Sequence, residues 1–299
     1  MTDFLSSTKG LPMMPRIGQG AGTLGLGAEV PGPIFEDGAV LAIDVGNTIT
    51  TIGLFQKDAD GSDDPVLRWE ITTPEHLTAD EALLVLAQLA GPEKVVGAIL
   101  SCVIPTQVGV WERALTRASQ TRPFVVGPGL KTGLKMRYRD PAEVGPDRIA
   151  DAVAVRERYQ LPAISVDFGT SMNIEVIGAD GAFLGGLIAP GLALGAQALN
   201  RRTARLPLIE IEMPKEVIGR STREAMLSGV VFGEVARIDG LIDRVFAALD
   251  SVATVVLTGD GAHEMASCLS HDATVDETLA LRGLHQLYKL NAGRGPRRS

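Results

Sequence analysis

Cysteine is scarce: Cys102 and Cys268 are the only two in 299 residues. They show no metal-ligand spacing and form no disulfide framework, which suits a reducing cytoplasm. No run of about 18 apolar residues occurs, so no segment is predicted to span a membrane. Basic runs are also missing, and the formal net charge is -8. The electrostatic footprint of a nucleic-acid partner is therefore absent, and an anionic substrate must be met by local basic groups or backbone donors. Gly-x-x-x-x-Gly-Lys-Ser/Thr does not occur, which excludes a P-loop enzyme. His76, His263, His271 and His285 lack ligand spacing and are read as surface or packing residues. Residues 1–37, rich in Gly and Pro and without periodicity, are expected to be a flexible extension rather than a secretory signal.

What is present is repetition. "LAIDVGNTITTIGLF" starts at Leu41, and "ISVDFGTSMNIEVIG" starts at Ile164. Each is an apolar run, Asp-x-Gly, a small hydroxyl residue and a second apolar-rich run. Around each, the pattern predicts three strands followed by alternating helices and strands. Capping boxes at Thr78–Glu81 and Ser221–Glu224 mark two helix starts. The expected organisation is two related mixed α/β halves, 38–144 and 145–291, with a cleft between them and a basic tail at 292–299. Ligands tend to bind at such junctions.

The candidate chemistry follows from residue type. Gly46 lets backbone approach a ligand, while Asn47, Thr48 and the turn N–H groups can surround phosphate oxygens. Asp44 can face a magnesium ion on those phosphates. One such turn is also an ordinary hairpin; the second copy at Asp167-Phe168-Gly169-Thr170 suggests a pair gripping phosphates from both sides. In "VGPDRIAD", Asp147 and Arg148 fall in a helix's first turn, where they are either dipole-complementing charges or, if the turn opens into the cleft, a proton acceptor and an anion holder. Gly259 and Gly261 permit close approach of an adenine or ribose, or are turn glycines. Thr222 faces either the cleft or a partner subunit.

Taken in order, "IDVGNTITTIGLF", "LSCVIPTQ", "KTGLKMRYRDPAEVGPDRIADAVA", "VDFGTSMNIEV", "GGLIAPGL", "TARLP", "IGRSTREAMLSGVVFGEVARIDGLI" and "VVLTGDGA" resemble the type III pantothenate kinases over about residues 40–290. The resemblance implies a duplicated ribonuclease H-like (actin-like ATPase) fold and ATP-dependent phosphorylation of pantothenate, the first step of coenzyme A synthesis. It implies ATP and phosphate binding by Asp44, Val45, Gly46, Asn47, Thr48, Ile49, Thr50, Thr51 and Thr170. Tyr138, Gly145, Pro146, Asp147, Arg148 and Thr222 would contact pantothenate, with Asp147 as proton acceptor. Asp167 would hold a monovalent cation, potassium or ammonium, beside ATP with magnesium. It further implies a cytoplasmic homodimer, with Ser228, Gly229 and Gly233 available for close helix packing.

Three departures stand out. The family's second hairpin usually runs Gly-Thr-Ala-Thr-Thr, then an aromatic and an Asp; here Met172, Asn173, Ile174 and Glu175 fill the last four places. Ile49 replaces a commonly polar residue, and "TGDGA" reorders a Gly-Gly pair. Methionine cannot donate a hydrogen bond to phosphate, although strand alternation can turn Met172 away from the site. The same departures fit an alternative: a kinase-like binding or regulatory protein of the accessory transcription factor type.

Overall fold

The computed structural model describes residues 37–56, 63–91 and 93–292. The expected extension up to residue 36 and the tail beyond residue 292 lie outside them. The first repeat folds as β1 (Ala39–Val45), β2 (Ile49–Gln56), β3 (Leu67–Thr72), α1 (Ala79–Ala90), β4 (Val95–Cys102), α2 (Pro105–Ser119) and β5 (Phe124–Val125). β1, β2 and β3 form an antiparallel meander, and β4 and β5 add in parallel beyond β1, giving the order β3-β2-β1-β4-β5. Parallel addition needs crossovers, which α1 and α2 supply. The Thr78 hydroxyl caps Glu81 N while Glu81 accepts from Thr78 N at 2.8 Å, so the predicted box opens α1.

The chain continues through β6 (Lys135–Met136), α3 (Pro146–Arg158), β7 (Ala163–Phe168), β8 (Ser171–Ile177), β9 (Ala182–Pro190) and α4 (Leu192–Arg202). It ends with α5 (Thr222–Leu249), β10 (Thr254–Gly259), α6 (Ala262–Ala266), β11 (Thr274–Val275) and α7 (Leu279–Ala292). The second sheet runs β11-β10-β7-β8-β9-β6, the first sheet's pattern with β6 appended to β9. Two sheets of one topology in one chain make a duplicated ribonuclease H-like fold of the actin-like ATPase type. At α5 the predicted box is half made. Ser221 caps Glu224 N at 3.2 Å, but the Glu224 carboxylate accepts from Arg220 N at 2.7 Å instead of from Ser221.

Two elements cross the division drawn at 144/145. β6 pairs with a strand of the second sheet, and α7, last in the chain, packs on β1, β2 and β4 of the first. α3 and α7 thus form a shared helical layer between the sheets. Three buried apolar clusters follow from this stacking. One lies between α1, α2 and the first sheet, one surrounds α3 and α7, and one lies between the second sheet and α5. Strand alternation sorts the residues of β1 and β2: Val45 and Ile52 face the outer helices, while Asp44 and its partner Thr51 face the central layer.

Candidate active site

β1 and β7 occupy equivalent central places in the two sheets, and each ends at its Asp-x-Gly turn. In the first turn Gly46 N donates to Ile49 O at 3.0 Å, and a methyl at Gly46 would sit 2.8 Å from that oxygen. In the second, Gly169 N donates to Ser171 O at 3.2 Å. The turns meet across the cleft, where the Thr48 and Thr170 hydroxyl oxygens are 2.9 Å apart and exposed.

The structure divides the predicted phosphate-binding stretch. Asn47 and Thr48 are exposed, and Thr51 shares a face with Asp44. The side chains of Val45 and Thr50 turn into the protein: Val45 is in the apolar core, and Thr50 bonds to the Thr73 hydroxyl at 2.8 Å. Gly259, with φ near +84°, lies against the carboxylate of Asp167 and the backbone of Phe168. In the fold it packs closely against the second hairpin, and Asp260 N fixes it by donating to Phe168 O at 2.8 Å.

α3 brings a third group. Its N-terminus is built from Gly145 and Pro146, and proline suits a first helical position because that N–H has no helical partner. Asp147 follows, its carboxylate folded back over Gly145 so that a methyl there would collide with Asp147 Oδ1. Burial raises the Asp147 pKa, and the backbone N–H of Arg148 pulls in the opposite direction. One turn further, Asp151 shares its helix face. Asp151 is 3% exposed, and its Oδ1 has no hydrogen-bond partner.

The β7–β8 hairpin presents a polar face to α3. Ser165 pairs with Glu175, and Asp167 with Asn173, while Phe168, Met172 and Ile174 point into the apolar cluster under α5. Alternation has turned Met172 away from the site. Asp44, Asp147, Asp151, Asp167 and Glu175 thus form a crowd of acids, of which Asp147 and Glu175 feel the Arg148 guanidinium. Burial, reinforced by Asp147, pushes Asp44 up to about 7 and leaves its Oδ1 without a partner. Asp167 and Asp151 are raised well above the ordinary carboxylate range by burial first and then by neighbouring acids. Such crowding is what a positive ligand would relieve.

Arg148 does not project as a free cation. It is 6% exposed, and its Nε donates to Glu175 Oε1 at 2.8 Å. Its guanidinium lies 5.9 Å from the centre of the Phe183 ring, and Nη2 is buried without a partner. Burial nonetheless outweighs that ion pair at Glu175, which is pushed up to about 7. Tyr138 is half-buried against Phe183 and Gly185, beside Arg148. Thr222 is exposed at the start of α5, and among the described residues no hydrogen bond joins it to Tyr138 or α3.

Asp151 was not singled out from the sequence, although its i, i+4 spacing from Asp147 was visible in "DRIAD". The pairing of Glu175 with Arg148 had no local signal, because 27 residues separate them.

A family model described as type III pantothenate kinase matches residues 40–244. A type III pantothenate kinase of Moorella thermoacetica is 38% identical over 257 residues, covering 84% of this chain and 99% of the relative. One of Frankia alni is 41% identical over 221 residues, covering 74% of this chain and 86% of the relative. Among solved structures, a putative Baf family transcriptional activator from Campylobacter jejuni is similar with a TM-score of 0.54 and 19% identity, covering 85% of this chain and 100% of that one. At that identity the likeness concerns the fold alone.

Proposed function

The chain belongs to the type III pantothenate kinases, and on that premise we propose that it transfers the γ-phosphoryl group of ATP to the primary hydroxyl of pantothenate, the first step of coenzyme A synthesis. The observation that carries this reading onto residues is the meeting of three acids from three elements: Asp44 from β1, Asp147 from α3 and Asp167 from β7.

In this mechanism the pantothenate hydroxyl oxygen attacks the γ-phosphorus. The bond from that phosphorus to the β–γ bridging oxygen breaks, ADP leaves, and the hydroxyl proton passes to Asp147. A free aspartate is a weak base. The raised pKa of Asp147 improves it, but phosphoryl transfer is largely dissociative, so positioning and charge neutralisation carry more of the rate. Asn47, Thr48, Thr51 and Thr170, with the turn N–H groups of both hairpins, are assigned to the phosphates. Tyr138, the Gly145–Arg148 turn and Thr222 are assigned to pantothenate.

The acid-rich cleft fits cations. The unpartnered Asp44 Oδ1 and the raised carboxyl groups offer hard oxygen donors short of counter-charge. Among the described residues no three His, Cys, Asp or Glu side chains form a metal site on their own. Asp44 would hold a magnesium ion that accompanies ATP. Asp167 is assigned to potassium or ammonium. When bound, these cations would supply positive charge at the phosphates.

Exposed Ile188, Leu208, Val217 and Ile218 on the second half support a homodimer. Ser228 is consumed within the protomer, donating to Val217 O, while Gly229 and Gly233 remain open. A cytoplasmic location agrees with ATP as phosphoryl donor and with the free Cys102 and Cys268.

The deciding experiment is a coupled assay of ADP release with ATP and pantothenate, with and without potassium. Pantothenate-dependent turnover is expected. Asp147→Asn should lower kcat by about 10²–10⁴-fold, and near-normal activity of that variant would sink its role.

A further inference from the structure

Gly191 stands where β9 gives way to α4, and its φ of -68° is open to any residue. Space is what demands glycine there: a methyl would collide with the carbonyl oxygens of Gly169 and Thr170. Gly191 N donates to Thr170 O at 3.0 Å, one residue past the pairing of Pro190 with Ser171. The end of β9 thus lies against the main chain of the turn that carries the Thr170 hydroxyl. Arg237 reaches the same place from α5, 47 residues away, its Nη2 donating to Pro190 O at 2.7 Å. Buried Glu234, one turn earlier, accepts from the same nitrogen at 2.6 Å. Ile238, next to Arg237, is fully buried against the second sheet, so the helix carrying the arginine is fixed.

Taking nucleotide binding at Thr170 from the proposed function, we infer that Gly191 and Arg237 are positioning residues for the second phosphate hairpin. Gly191 lets the end of β9 seat against the Gly169–Thr170 main chain. Arg237 fastens that end to α5, so the Thr170 hydroxyl is held toward Thr48. Three observations separate this from ordinary strand packing. Gly169 and Thr170 are exposed, so hydrogen bonds rather than burial order the turn. The first hairpin has the same bond: Thr73 N donates to Thr48 O at 2.8 Å, one residue past the pairing of Thr72 with Ile49. There the Thr50–Thr73 hydroxyl bond supplies the second anchor, the place Arg237 takes in the second hairpin. Finally, Arg237 Nε is buried without a partner, so the side chain gives up one donor to aim another at Pro190.

The test compares Gly191→Ala, Arg237→Lys and the paired variant Glu234→Gln with Arg237→Met against the wild type in steady-state kinetics. The paired variant removes the anchor without leaving a buried carboxylate unpaired. It and Gly191→Ala are expected to raise the ATP KM roughly 3–10-fold, the scale of one hydrogen bond, with the pantothenate KM changed less than about twofold. Arg237→Lys keeps a donor for Pro190 O and should be milder than the paired variant. Added to Thr170→Val, the paired variant should raise the ATP KM little further, because it acts through that hydroxyl. Amide hydrogen exchange of the 169–172 segment, read without substrates, should be faster in Gly191→Ala and in the paired variant. Should Gly191→Ala fail to fold, the paired variant carries the test.

Wild-type ATP KM and exchange in the folded variants overturn the inference. So does a raised ATP KM with unchanged exchange, because Arg237 or the end of β9 would then touch the nucleotide itself. A rise in the pantothenate KM alone overturns it as well. Absence of pantothenate turnover in the wild type sinks the functional reading instead, and amide exchange still decides whether Gly191 and Arg237 order the hairpin.

Discussion

The hydroxyls of Thr48 and Thr170, 122 residues apart in sequence, meet at 2.9 Å. Each belongs to the turn that ends the central strand of its sheet, so this contact closes the cleft at the place assigned to the phosphates. An anion entering there replaces the hydroxyl pair with two hydroxyl–phosphate hydrogen bonds, which are stronger because one partner is charged. Thr170→Val, close in shape and lacking the donor, should raise the ATP KM roughly tenfold and leave the pantothenate KM unchanged. Equal ATP KM values for variant and wild type would remove Thr170 from the nucleotide site.

Gly145 holds space rather than a turn. Its missing side chain is where the Asp147 carboxylate rests. Gly145→Ala should therefore displace the acid and lower kcat by about 10–100-fold, while Tm changes little because the residue is a half-buried helix cap. Kinetics and a thermal melt on one preparation check both halves. A wild-type kcat in Gly145→Ala means that Asp147 acts from another position.

Much of this was legible in the chain. The repeated Asp-x-Gly runs led to the two hairpins, and alternation along β8 separates Met172 from Asn173. What was hidden is tertiary. β6 and β11 have two residues each, too few to show a period. The return of α7 brings Leu281 against Gly53 of the first sheet and Gly283 against Ala150 of α3, which no local pattern announces. "DR" in a first helical turn gives no hint of whether the arginine reaches outward or, as here, back to a glutamate on a neighbouring strand.

Asp44 predicts an inverted pH dependence of stability. Its pKa rises from 3.8 to about 7 in the fold, so the unfolded chain loses that proton first. The native state then loses stability as pH climbs from about 4 to about 7. His285, lowered to about 4 by burial, acts in the opposite sense and loses stability as pH falls below its ordinary value of 6.5. Comparing Asp44→Asn with wild type cancels the histidine. Without nucleotide at about pH 8, the variant should melt about 2–6 °C higher while turnover falls, and the gap should close toward about pH 4. A variant that melts lower at alkaline pH would show that Asp44 is not a strained acid.

The two lost hydroxyl positions of the second hairpin, Met172 and Asn173, should separate cleanly. Met172 is fully buried in the apolar cluster under α5. Met172→Thr restores the hydroxyl pattern of the relatives but leaves a cavity and buries a polar group, costing about 2–4 kcal/mol. It should lower Tm and leave the ATP KM alone. Asn173 is on the opposite face, directly across from Asp167. Asn173→Thr should change the ATP KM or the potassium dependence with little effect on Tm. Melting curves and ATP titrations at two potassium concentrations distinguish the pair. Improved ATP use by Met172→Thr would mean that the hairpin's faces are reversed in the working enzyme.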